Sequence, residues 1–489
     1  SRATGGVGGG VGVAGSFCVY SAKTGTRGVF GRERGPVTVG ATTLTLTGGN
    51  VSMKDESTAK NDVTATSKAS GSDTGVGASI GINISLNDTI AEIEAGEQVS
   101  GNTVGFSVPA NSANAVTTGT QAGAQGSTSV GGAISIVVSE DNTFARINSG
   151  AGGAIALTGD LHADATHTNT VTTTASGEAA GGDVGVGISL ALNIVLENTQ
   201  ATLARSFTGA HDVSVTSGSV VLTNAETKAS AKGQSSDSNG DAKGGTASKT
   251  SDQETTDRSN FANSRAGTSA DPTTTGQNGM STANSKSSSE SSNSASSGGT
   301  SVAATIAVNY ADVDNKASIA DGVLVSATGK MDVKAANNTD TITQAIATAT
   351  NTDADTGVAA AVGLNIALVT NTASVGNSVN LTAGSIDIEA GMAPSTTNTF
   401  QSRALSGAAS SDTAVGGSIS VQYIDEETNA TVGNNAVLHA TGGNVDVNAE
   451  SLNEIQNLAG GGALSLEGGT GIGVAVAVNI VNGLDTNAT

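Results

Sequence analysis

The stretch DTGVAAAVGLNIALVTNTASV, residues 355–375, alternates large and small side chains almost without a break. Val358, Val362, Leu364, Ile366 and Leu368 hold the even positions, with Ala360 among them. Ala359, Ala361, Gly363, Asn365 and Ala367 hold the odd ones. A period of two is that of an extended strand, whose successive side chains leave opposite faces of the backbone; no helix keeps these residues on one side.

The same pattern recurs from Val76, Val130, Val184, Val302, Val415 and Ile472. Val76, Val130 and Val184 are 54 apart; the steps from Val302 to Val358 and on to Val415 are 56 and 57. The gap of 118 between Val184 and Val302 is one repeat plus an insertion. After each strand comes an Ala-x-apolar mark: Ala91–Ile93, Ala145–Ile147, Ala201–Leu203, Ala317–Ile319, Ala373–Val375 and Ala430–Val432. A Gly turn follows, as in TGGNVSMKDES (47–57) and TGGNVDVNAES (441–451), and then a Thr- and Ala-rich segment such as 341–350. Ordered marks at near-constant spacing identify a repeat protein, in which each unit packs on its neighbours. The expected divisions are a degenerate first repeat (1–72), β repeats (73–231), a Ser/Asn/Thr-rich insertion (232–299) and further β repeats (300–489).

Within the first repeat, Val11, Val13 and 17–20 stand where the long strand belongs, and Thr26–Val29 where the Ala-x-apolar mark belongs. Lys23, Arg27, Arg32 and Arg34 cluster there, either on a solvated turn or against acidic groups of the next repeat. The insertion has Phe261 and Met280 as its only large apolar residues, too few to offset ordering entropy by burial.

Sixty-seven glycines, no Trp and 2% aromatics point to a thin core of Val, Ile, Leu and Ala. A net charge of -22 disfavours nucleic acid as a partner. The lone Cys18 excludes an intrachain disulfide framework and reads as a small buried side chain. No apolar run is long enough for a transmembrane helix. The chain begins without Met and stops at Asn487-Ala488-Thr489, which repeats Asn429-Ala430-Thr431, so both ends read as cuts through a longer repetitive protein.

The expected fold is all-β: an elongated β-solenoid (parallel β-helix) with repeats of about 55 residues, the large side chains pointing into the coil. Coils of about 20 residues, two or three per repeat, would make a body on the order of 100 Å long. The small-residue face would then be covered too, by the Thr/Ala segment or by another molecule. The alternative is a stack of antiparallel β-hairpins closed at turns such as 411–414. Asn83, Asn309, Asn365 and Asn479 share one strand position and suggest an amide ladder along the stack, with Asn193 two residues out of step.

No catalytic set stands out. The four histidines, His162, His167, His211 and His439, read as surface residues of turns and strands. Asp183–Gly187 opens a strand, so it offers no helix terminus to a phosphate. Hard oxygen ligands for calcium gather at Asp237, Asn239 and Asp241 and at Asp312 and Asp314, though neither group follows a known calcium-loop pattern. No other cofactor is expected.

The long strands VGASIGIN (from Val76) and VAAAVGLN (from Val358), NTFARI (from Asn142) and TGGNVDVNA (from Thr441) resemble the repeats of large bacterial surface proteins of the filamentous-haemagglutinin and autotransporter-adhesin type. The resemblance covers nearly all of the chain outside 232–299. It implies a secreted, extracellular β-helix acting as a stalk, fibre or adhesive surface, not an enzyme, and it supplies no catalytic residues. Its expected partners are a host or neighbouring cell surface, a glycan, or other copies of itself. A self-assembling filament or sheath subunit is a second expectation, motivated by the small-residue face, and a polysaccharide-acting β-helix enzyme a third.

Overall fold

The computed structural model describes residues 2–4, 10–30, 43–233, 299–351 and 354–489. Each turn of the chain supplies a leading strand, a short strand and a return strand. In one turn these are Thr356–Val375, Asn380–Ala383, and Ser385–Met392 continued by Asn398–Ser410. Elsewhere return and leading strands run together, as in the 43-residue strands Gly105–Ile147 and Leu161–Leu203, so both layers belong to one folded-over sheet. The short strands form a second sheet of seven.

Every strand pairing among the described residues is parallel, which rules out the stacked antiparallel hairpins. The all-β, parallel, long-stranded architecture is consistent with a β-solenoid. Each leading strand pairs with the leading strand of the next copy. The column Val13, Val76, Val130, Val186, Val302, Val358, Val415, Ile472 runs the length of the described stack. Coils of about 20 residues are therefore not what forms. At about 4.8 Å between strands, these eight span about 34 Å rather than 100 Å.

The large side chains of the leading strand face outward, not into the coil as alternation suggested. Along Thr356–Val375, Gly357, Ala359, Ala361, Gly363, Asn365 and Ala367 are buried, whereas Val358, Val362, Leu364, Ile366 and Leu368 stay partly exposed. Period-two alternation puts the large residues on one face without saying which face is the interior. Close approach of the return strand decides it. A methyl group on Gly363 would stand 3.0 Å from the Arg403 carbonyl oxygen, and one on Gly131 would strike the carbonyl of Glu178. Small residues predominate between strands this near, and alanines fill much of that part of the core: Ala229, Ala303, Ala347, Ala359 and Ala404 among others.

At the other end of the leading strand the layers diverge around the short strands, and larger residues fill the space. The Ala-x-apolar mark lies here, with Ala91, Ile93, Ala145, Ile147, Ala201 and Leu203 all at 0% exposure. Phe106 and Phe207 meet edge to face, centroids 5.3 Å apart. The Gly turn of the repeat joins short and return strands; Gly48 takes φ 105° there, a conformation that favours glycine. Cys18 is buried against Val63 and Ala65, and Arg27 pairs with Glu92 of the next turn at 3.4 Å. Arg32 and Arg34 lie outside the described residues.

Candidate functional site: an apolar outer face and a buried polar column

The outward positions of the leading strands form an apolar sheet. Behind the valine column come Phe17, Ile80, Ile134, Leu190, Ile306, Val362, Ile419 and Val476 in one column, and Val19, Ile82, Ile136, Leu192, Val308, Leu364, Val421 and Val478 in the next but one residue. Ile188, Ile306 and Ile419 are 48%, 44% and 45% exposed although each is flanked by strands on both sides. The outer face of the return strands is different: Lys60 pairs with Asp62 at 3.7 Å, Lys330 with Asp332 at 2.8 Å, and Lys334 with Asp387 and Glu389 at 2.6 and 2.9 Å. Those carboxylates hold the Lys334 ammonium above its usual range. One face of the body is thus built for water and the other is not.

Inside, the expected amide position behaves differently from a ladder. Asn83 donates to the carbonyls of Asn61 (3.1 Å) and Thr117 (3.2 Å), and Asn365 donates to the carbonyl and hydroxyl of Thr341 (3.2 and 2.8 Å). Asn309 likewise bonds Thr223, and Asn479 accepts from Asn457 at 2.8 Å. These amides tie the leading strand to the return strand instead of linking turn to turn. Asn193 lies in register with Asn309, because Val186 and not Val184 is the counterpart of Val302. An amide bond along the stack does occur six residues later, from Asn315 to Asn371 at 2.9 Å.

One buried column is polar and ionisable. Asn87, Asp141, Glu197, Val313, Val369 and Glu426 succeed one another on stacked leading strands. Asp141 accepts from Ser139 (2.8 Å), Asn169 (2.8 Å), Asn87 and Asn114. Glu197 accepts from Asn169 and stands 2.5 Å from Nε2 of His167, which is 0% exposed. Burial pushes Asp141 up to about 7, with the Glu197 charge adding to it, and burial pushes Glu197 up to about 8. Burial lowers His167. Burial also raises Glu426, against hydrogen bonds from Ser451 and Asn398.

Asp141, His167 and Glu197 are one of two three-residue groups among the described residues with ligand atoms close enough for a metal; the half-buried Asp160 and Asp212 with the exposed His211 are the other. The buried group is closed as it stands. Two ligands of one ion lie about 3 Å apart or more, and His167 and Glu197 are nearer than that. All three side chains lie in the interior, with Asp141 1%, His167 0% and Glu197 3% exposed. Reading all four histidines as surface residues therefore fails at His167, while His211 and His439 are exposed as expected. The signal for the cluster was present: Asp141, Glu197 and Glu426 follow Val130, Val186 and Val415 at one common offset of 11, on the inward parity. Of the calcium candidates, Asp312 and Asp314 stand together on the outer face, both raised mainly by burial, and belong to neither three-residue group. Asp237, Asn239 and Asp241 lie outside the described residues.

No helix long and apolar enough to cross a membrane is present among the described residues. Compared with known proteins, the chain matches no family model, no curated protein and no solved structure.

Proposed function

We propose that the chain is a β-solenoid with a repeat of about 55 residues, serving as a stiff structural and adhesive segment of a large secreted cell-surface protein. The observation that carries this reading is the unbroken parallel register of the leading strands from Val13 to Ile472. Such backbone ladders give reach and stiffness without any catalytic centre, and the buried Asp141–His167–Glu197 group offers no substrate an approach. A net charge of -22 favours solubility outside the cell and disfavours nucleic acid. The proposed partners are a cell surface, a glycan or further copies. Electron microscopy of the purified chain and binding to cells and glycan arrays test it. Short rods that bind a defined surface or glycan are expected; globular particles without binding, or cleavage of a glycan, would overturn it.

The runner-up is a self-assembling filament, in which the leading strands of one copy continue the parallel stack of another. The small-residue face no longer supports this reading, because it lies inside. Filaments that lengthen with concentration would favour it over the stalk.

A further inference from the structure

We propose that the apolar outer face of the leading strands is covered by the same face of a second copy of this chain, with strands running antiparallel across the interface. Five outward columns across eight strands measure about 27 Å by about 34 Å, roughly 900 Å². The largest apolar patch on a typical monomer is about 300–600 Å², and a stable interface buries about 800 Å² per partner. This face is above the first figure and sufficient for the second.

The contrast with the return face argues that the apolarity is specific. Both faces point outward and are made by one chain, yet the return strands carry ion pairs such as Lys334–Asp387, whereas the Arg27–Glu92 pair of the leading strands lies beyond the five apolar columns. Flat β-branched sheets pack face to face at about 10 Å, which a like sheet satisfies over its whole area. The insertion offers no alternative cover, since Phe261 and Met280 are its only large apolar residues. A lipid surface fits less well: the face is bordered by the acidic Glu140, Asp312 and Asp425, which anionic headgroups repel.

Those carboxylates also select the orientation. They lie in the column next after the last apolar one, which also holds Lys23, Leu86, Leu196 and Leu368. A two-fold axis along the strands would lay the column that holds Glu140, Asp312 and Asp425 over the same column of the second copy, on the reversed stack. A two-fold axis along the stack reverses the strands and places Glu140, Asp312 and Asp425 over the Thr128, Thr300 and Thr413 positions of the second copy. It also brings Ile306, in the central column, opposite Ile306, and carries Val302 away from its own equivalent. The inference rests on the face alone and not on the surface-fibre reading, because a rod that binds no surface still has this face to cover.

The test is sedimentation velocity of the full chain at micromolar concentration, joined to cross-linking in a Cys18→Ser background. A dimer is expected, and a short bis-maleimide is expected to join copies carrying Ile306→Cys at least tenfold more than copies carrying Val302→Cys. Ile188→Lys with Ile306→Lys is expected to give a monomer with unchanged strand signal by circular dichroism. Because paired lysines can prevent folding, the cross-linking comparison stands by itself. A monomer at 100 µM, equal cross-linking at both positions, or uptake by neutral phosphatidylcholine vesicles in place of dimerisation would overturn the proposal. Failure of glycan or cell binding would overturn the adhesive role and leave this inference untouched.

Discussion

Asp141 and Glu197 occupy the same position on adjacent leading strands, one carboxylate above the other, with His167 beside them in the interior. Two stacked buried acids cannot both ionise without cost, so the fold favours their neutral forms.

Stability should consequently fall as pH rises. A carboxyl raised in the folded state contributes stability fully below its unfolded value, near 4, and loses it as pH rises through the folded values of about 7 and about 8. His167 runs the other way: its lowered value gives stability above about 6.5 that is lost as pH falls. Glu197→Gln should match the parent near pH 5 and exceed it by a few kcal/mol at pH 9, since each tenfold change in a group's acidity on folding is worth about 1.4 kcal/mol. Urea titrations at the two pH values check this, and parallel profiles for the two proteins would contradict it.

Neighbouring glycines should respond oppositely to the same change. Gly131→Ala pushes a methyl into the Glu178 carbonyl, whereas Gly132→Ala meets nothing within 4 Å. The first should destabilise by about 1–3 kcal/mol or more; the second should be neutral or slightly stabilising. Thermal melts of both variants read the difference.

Asn365→Ala removes the donor that ties the leading strand to Thr341. A loss of about 1–3 kcal/mol is expected, seen as a lower urea midpoint with an unchanged slope. An unchanged midpoint would mean that the cross-strand amide contributes nothing.

Phe207→Ala empties the wide end of the core opposite Phe106 and should cost about 3–5 kcal/mol. An equal loss for Phe17→Ala, whose ring is 62% exposed, would indicate that the outer face is buried in the isolated chain.

Much of this architecture was legible in the strand 355–375 and its copies. Alternation gave the strand, and recurrence gave the stacking partner. The Ala-x-apolar mark gave residues that prove to be core, such as Ala145 and Ile147. Facing direction was not legible, since Val358 and Ala359 alternate identically whichever side is inside; the distance between leading and return strands decides, and that is a tertiary quantity. His167 escaped for a similar reason. It lies 26 residues from Asp141 and 30 from Glu197 in sequence, and strand stacking alone brings the three together. The anchor at Val184, two residues early, also hid Asn193 from its column: valines stand at both 184 and 186, and Val186 is the one in register with Val130.

The inverted facing of the leading strand is the central claim, and adjacent alanines test it with the smallest perturbation. Ala360 is exposed and Ala361 is 1% exposed. In a Cys18→Ser background, at nanomolar concentrations where a face-to-face pair dissociates, Ala360→Cys should react with a thiol reagent near the rate of the unfolded chain. Ala361→Cys should be protected until the protein unfolds. Fast labelling at 361 with protection at 360 would put the large side chains inside and contradict the account.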